Sequence, residues 1–303
     1  MKWKQRVAVV LTVGLLLTAC EKKTEKWDAD TEEKYLTEMA ETATNPVETK
    51  EKLDAKITQM SKTGVMHGVD AYLYGLNEKA MELNEKVKPY VDELNKLGIV
   101  SLSNEWKTGV EDASDGLSAL LKEASEHSLV LFRTESLTMF SPDFVGVAEE
   151  YKSGMDVSMY EFMLFTGEEQ TKHYFNAESN VLDLDIVAER IKKLDRLLEK
   201  HKGTQMEESL HISRSFYATL YFGQNSNALL EGDKVSGYAM SHYEKTMKED
   251  LSIQETLKGY VQLLKENGLK YDAPDVLIYL SEAGLVESQT YDEEAIEKET
   301  EKK

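Results

Sequence analysis

One hydrophobic period constrains this chain more than any other feature. Val65, Val69, Tyr72, Leu76, Ala80, Leu83, Val87, Tyr90 and Leu94 recur at steps of three or four. That spacing lays an apolar stripe along one face of an α-helix and does not match the period of two of a half-buried strand. Pro89 lies inside the run. It lacks an amide donor and crowds the preceding turn, so the helix must kink or divide there. Leu97-Gly98-Ile99 reads as a glycine stop. Ser103 or Asn104 then suits the cap of a second long helix, carrying Trp106, Val110, Ala113, Leu117, Leu120, Ala124, Ser128 and Leu131. Two long amphipathic helices joined by a short loop predict an antiparallel helical hairpin.

The same period governs the rest of the chain. Asn45-Pro46 with Glu48 is a helix start, with Leu53, Ile57 and Met60 on one face and Gly64 as a stop or break. Ser141-Pro142 opens a helix bearing Phe144, Val147 and Tyr151. Met155 to Phe165 forms a short apolar helix that ends near Gly167. Asp183 or Asp185 opens a helix with Val187, Ile191, Leu194 and Leu198, which stops at Gly203. Met206, Leu210, Ser213, Tyr217, Leu220 and Gln224 mark another. Ser252 with Glu255 forms a capping box before Ile253, Leu257, Val261 and Leu264, and Asn267-Gly268 closes that helix. Pro274 opens a last helix with Val276, Leu277 and Leu280, closed by Gly284. Leu129-Val130-Leu131-Phe132 has strand character but continues a helical face. The expected fold class is all-α: a helical bundle with long antiparallel helices and smaller packed helices over residues 31–286. Strands alternating with helices, which a two-lobed α/β build requires, are missing.

The first twenty residues follow a different grammar. Lys2, Lys4 and Arg6 precede an apolar run from Val7 to Leu17. A charged start followed by a short apolar stretch and small residues is the pattern of a secretory signal. The run is shorter than the roughly 20 residues a spanning helix needs. Leu17-Thr18-Ala19-Cys20 resembles the lipobox of bacterial lipoprotein precursors. The resemblance implies lipid attachment at the Cys20 sulfur and cleavage between Ala19 and Cys20. Residues 1–19 would then be a signal peptide. Residues 20–30, Lys/Glu-rich with Trp27, would be a flexible tether, and residues 287–303 a charged C-terminal tail. Because two or more acyl chains anchor stably where one does not, the expected location is the extracytoplasmic face of the cell membrane.

Charge supports that placement and removes other classes. The chain has 36 Lys+Arg against 56 Asp+Glu, a formal charge of −20. Loss of Lys2, Lys4 and Arg6 with the leader takes this to −23. A nucleic-acid partner is excluded for want of clustered cations. One Cys cannot build a disulfide framework. The acidic surface disfavours lying flat on anionic lipid, leaving the membrane contact to the anchor on Cys20.

Candidate sites are few. Met139, Phe140, Phe144, Met155, Met159, Tyr160, Phe162, Met163 and Phe165, then Phe216, Tyr217, Tyr221 and Phe222, concentrate soft and aromatic side chains. They suit a pliable groove for an apolar or peptide ligand, although their spacing already fits plain bundle core. His67 and Asp70 share a helix face and have metal-ligand chemistry, as does the pair Glu208 and His211, while a solvated polar face explains each pair equally simply. Di-iron bundles use two Glu-x-x-His pairs, and this chain has one. Asp183-Leu184-Asp185 lacks the remaining ligands of a calcium loop and reads as a cap. The six His residues are scattered, no Gly-x-Ser-x-Gly elbow or phosphate loop occurs, and Cys20 is committed to lipid. No catalytic residue, metal or cofactor is therefore assigned.

The segment His67-Gly68-Val69-Asp70-Ala71-Tyr72-Leu73-Tyr74-Gly75 resembles the His-x-x-Glu stretch of imelysin-like helical envelope proteins. It departs in having Asp70 where that family has Glu, and Gly64 stands one position too far upstream. Tyr160-Glu161-Phe162-Met163-Leu164-Phe165 resembles a second part of the pattern, with Ser158 where a His would stand. This resemblance implies a helical, metal-linked or hydrolytic envelope protein. The leading expectation is a non-enzymatic binding or interaction module at the cell envelope, with an envelope protein, a wall component or a small ligand as partner. A helical solute-binding lipoprotein requires a ligand pocket between helices.

Overall fold

A computed structural model describes residues 26–97, 101–102, 112–133, 138–176, 181–223, 227–249 and 251–285. The expected signal segment with Ala19 and Cys20, the Gly98 stop, the Ser103 and Asn104 caps, Gln224 and the tail from residue 287 lie outside these residues. The fold is all-α, with short antiparallel strand pairs inserted between helices.

The first half begins with α1 (Ala29–Ala40), α2 (Pro46–Lys56) and α3 (Lys62–Val87). Asn45 caps α2 by accepting from the Glu48 amide, as its sequence predicts. Ser61 caps α3, so Gly64 is no break. It sits in the first turn of α3, close under the Glu32 carboxylate, which also accepts from the Ser61 hydroxyl at 2.8 Å. Pro89 divides the long helix as expected: a 3-10 turn (Lys88–Tyr90) separates α3 from α4 (Val91–Lys96). Residues 26–30, read from the sequence as part of a tether, belong to the packed fold. Trp27 already packs edge-on against Tyr35, with ring centroids 4.9 Å apart, and its amide donates to the Gln59 carbonyl.

The predicted second long helix is corrected. Its described part, α5, spans only Asp115–Glu126, capped by Ser114. Ser128 adopts a φ of 52°, which ends the helix and reverses the chain. Leu129–Arg133 (β2) then pairs antiparallel with Thr138–Pro142 (β3), with Leu131 opposite Phe140, and Ser101–Leu102 (β1) joins the far edge of β2. Ser141-Pro142 thus closes a strand, and Asp143 caps the helix that follows, α6 (Phe144–Tyr151). Asn84 of α3 attaches this hairpin to the helix: its carboxamide donates to the Phe140 carbonyl at 3.2 Å and accepts from the Phe140 amide. A side-chain amide thereby fills the place of a neighbouring strand at that residue.

The second half runs from α7 (Val157–Glu169) through a short hairpin, β4 (Phe175–Asn176) and β5 (Val181–Leu182), to α8 (Leu184–Lys200) and α9 (Glu207–Tyr221). A second hairpin, β6 (Leu230–Glu231) and β7 (Lys234–Val235), precedes α10 (Gly237–Thr246), α11 (Gln254–Glu266) and α12 (Pro274–Glu282). Asp183 caps α8 and Pro274 opens α12, as read from the sequence. The Ser252 capping box does not form. Arg214 donates to the Ser252 hydroxyl at 2.6 Å, and Ile253 occupies the cap position without a side-chain bond. Helix α10, short and capped by Ser236, has no counterpart in the sequence reading.

Two apolar cores result. One runs from Met39 to Met163 and the other from Phe165 to Leu285, so α7 contributes to both.

Two predictions follow from this packing. A methyl group at Gly75 would lie 2.3 Å from the Ala43 carbonyl oxygen and 3.2 Å from Pro46 Cα, both backbone atoms, whereas at Gly68 its closest contact is the flexible end of Leu53. Gly75→Ala is expected to lose about 1–3 kcal/mol in urea unfolding, and Gly68→Ala less; equal losses would show that α3 does not approach the α1–α2 turn this closely. The second concerns Lys79, which bridges Glu82 at 2.9 Å and Glu123 of α5 at 2.6 Å, while Lys86 adds a second cation to Glu82. Hydrogen bonds from Lys79, then Lys86, pull the Glu82 carboxyl down to about 2. A depressed carboxyl stabilises the fold above its ordinary value of 4.5, and that contribution is lost as pH falls toward 2. Glu82→Gln should flatten the decline in stability across that window, modestly because the network is solvent-exposed; an unchanged acid profile would count against it.

Candidate functional site

The helix caps place the site. Ser61 starts α3 so that Met66, Asp70 and Leu73 fall on one face, at steps of four and three, with His67 beside them. Asp156 starts α7, accepting from the Ser158 amide at 2.9 Å and the Ser158 hydroxyl at 2.7 Å. Those bonds hold the Asp156 carboxyl below its usual range. Met159 and Met163 then fall one turn apart, as do Phe162 and Thr166. Where these faces meet Phe144 of α6 and the entry to α9 at Gln205, Met206 and Ser209, a cleft of about 470 Å³ opens.

Its lining is mostly apolar. Met66, Met159, Met163 and Met206 supply four thioethers, and Phe144 and Phe162 two rings. The polar lining groups are His67, Asp70, Thr166, Gln205 and Ser209, and no Lys or Arg is among them. The Thr166 hydroxyl is already spent on the Phe162 carbonyl at 3.1 Å. Asp70 has an accessible side chain, and among the described residues it makes no hydrogen bond or ion pair. The surrounding atoms nevertheless desolvate it and push its carboxyl above the usual range, with the His67 imidazole pulling the other way.

A buried contact fixes the wall that carries Met206. His201, at the end of α8, is 3 % exposed, and its Nε2 lies 2.7 Å from Glu161 Oε2 on α7. Lys200 bonds the other carboxylate oxygen. Burial works against the charge on Glu161, yet Lys200 and His201 together hold its carboxyl below the usual range. The turn then reverses at Gly203, whose φ of 77° suits glycine. Gly203 donates its amide to Glu207 at 2.6 Å.

The sequence-predicted residues divide accordingly. His67 and Asp70 reach the cleft, together with Phe144, Met159, Phe162 and Met163 from the soft, aromatic set. Phe140, Met155, Phe165, Tyr217, Tyr221 and Phe222 are core. Glu208 and His211 stay on the outside of α9, where His211 keeps a 62 % exposed side chain 3.9 Å from Glu207. Among the described residues, no group of three or more His, Cys, Asp or Glu side chains is arranged to hold a metal ion. Gln205 and Ser209 were not singled out from the sequence. They lie at a helix entry, and nothing local marks that entry as one wall of a cleft. Met66 was also passed over, although it directly precedes His67.

One further polar cluster lies in the second core. His242 sits between Asp185, 3.2 Å from its Nε2, and Tyr221, 3.1 Å from its Nδ1. Burial lowers the pKa of this imidazole and Asp185 opposes that shift. The ring is almost fully buried and both nitrogens are engaged, so the cluster ties α8, α9 and α10 together and offers no atom to a substrate.

The Glu161–His201 contact yields a prediction. His201→Ala should cost about 1–3 kcal/mol, because it leaves a half-buried carboxylate with one partner fewer. A urea midpoint equal to that of the unaltered chain would show that the contact does not hold the α8–α9 turn. Comparisons of the chain with protein-family models, with curated proteins and with solved structures find no match.

Proposed function

We propose that the protein is a lipid-anchored extracytoplasmic binding protein, attached through Cys20, whose helical body takes up a small apolar molecule between α3, α7 and the start of α9. The cleft carries this reading. Its volume falls within the range of about 300–1,000 Å³ usual for small-molecule sites. Four Met thioethers and two Phe rings give it a soft, adaptable wall, and a few polar groups from α3, α7 and the entry to α9 suit orientation of a ligand. Chemistry on the bound molecule is not part of the reading, since the lining has no nucleophile paired with a base. The metal-linked alternative gains nothing further from the His67–Asp70 pair, which has no third ligand of His, Cys, Asp or Glu type among the described residues. The lipid anchor is supported by Leu17-Thr18-Ala19-Cys20 standing directly after a basic, then apolar, start. No helix among the described residues is long and apolar enough to cross a membrane.

Two measurements test the proposal. N-phenyl-1-naphthylamine, a neutral apolar fluorophore, should brighten on adding the protein, and Met206→Trp, which fills the cleft from its more exposed wall, should weaken that binding by about tenfold or more. An unchanged titration with Met206→Trp, at unchanged circular dichroism, would reject the cleft as the site. In fractionated cells the wild-type chain should sediment with membranes and Cys20→Ser should not. Equal retention of both would reject the anchor.

A further inference from the structure

We infer that the ligand of this cleft is an organic cation: an apolar body that fills the Met- and Phe-lined volume and an ammonium group that pairs with the Asp70 carboxylate. The inference rests on the binding reading above and adds the ligand's charge.

Three observations converge on it. The first is the shape of the site: one cleft of about 470 Å³, too large for a bare ion, with an apolar wall on α6 and α7. The second is the state of Asp70. Elsewhere in the fold carboxylates near packed surfaces are paired, as Glu82 and Glu123 are with Lys79, Glu168 with Lys193, and Glu161 with Lys200 and His201. Asp70 lines a cleft and is partly desolvated, yet makes no such bond among the described residues, and no Lys or Arg joins it in the lining. A carboxylate with no protein partner at the edge of an apolar cleft is open to a ligand cation, with which it can form a charge-assisted hydrogen bond. The third is the remaining lining. The Phe144 and Phe162 rings offer π faces that attract an ammonium and apolar surface for the methylene groups next to it, and Met thioethers are soft partners for the same groups. An anionic ligand would meet Asp70 with repulsion and find no Lys or Arg in the lining to offset it. The chain's formal charge of −20 acts in the same direction at longer range, raising the local concentration of cations.

A matched set of probes separates the charge from the cleft. 4-Phenylbutylammonium, 4-phenylbutan-1-ol and 4-phenylbutanoate share one apolar body and differ at the tip. Calorimetric titration of the full chain at neutral pH and low salt should rank the ammonium about tenfold tighter than the alcohol, and the carboxylate weakest. Asp70→Asn should remove the ammonium's advantage over the alcohol. Asp70 is exposed and unpaired, so this variant should keep the wild-type circular dichroism and thermal midpoint, which are measured alongside. Equal affinities of the alcohol and the ammonium for the wild-type protein would overturn the inference about charge and leave the apolar cleft standing. So would an ammonium preference that survives Asp70→Asn. Failure of both the alcohol and the ammonium to bind would overturn the cleft reading itself. Tight binding of Cu(I) through the thioethers, with no response to the ammonium, would assign the lining to a metal and overturn the organic cation.

Discussion

The structure depends on α7 burying two faces at once. Met159 and Met163 belong to the first core, and Phe165, two residues further on, belongs to the second. A helix that is apolar on most sides has to be surrounded, and here a separate set of helices covers each side. Arg190, 3 % exposed, reinforces the arrangement: its guanidinium lies 5.3 Å from the centre of the Phe165 ring and donates to the Lys172 carbonyl at 3.3 Å. The cleft is a consequence of this geometry. Met159, Phe162 and Met163 of the shared helix form one wall, and Met66, Phe144 and Met206 line it from the neighbouring elements.

Much of the fold was legible because its signals are local. Asn45, Asp183 and Pro274 mark helix starts through their own side chains, and Pro89 divides α3 from α4 through its missing amide. Failures came where a tertiary partner outbid a local rule. Leu129 to Phe132 suits either a helix face or a strand, and what decides for the strand is Ser128 in a left-handed conformation together with the partner strand Thr138–Pro142. Ser252 has the right neighbours for a capping box, but Arg214, distant in sequence, takes its hydroxyl. Trp27 looked like part of a solvated tether because a lone aromatic among charges has no period to reveal its docking site on Tyr35.

The candidate site was legible to a similar degree. His67 and Asp70 stood out by chemistry and spacing, and the Met-rich stretch by composition, yet nothing in the sequence said that the two would face each other. That required α3 and α7 to line one cleft, and the α8–α9 turn to be held in place by His201 and Glu161. The choice between groove and core for the soft residues had no single answer. Met159 and Met163 are buried core residues that also line the cleft.

The docking of Trp27 has a consequence for supply. Its amide donates to the Gln59 carbonyl, and Trp27 stands seven residues beyond Cys20 in the sequence. Under the proposed anchor, seven residues reach at most about 25 Å even when fully extended. Met66 and Asp70 lie on α3 some seven to eleven residues past Gln59, a further distance of roughly 10–17 Å along a helix. The cleft would therefore operate within a few tens of ångströms of the bilayer surface, where amphiphilic molecules partition. A protein held there samples ligands at the concentration of the lipid interface rather than that of the surrounding fluid, so even weak intrinsic affinity would keep its cleft filled.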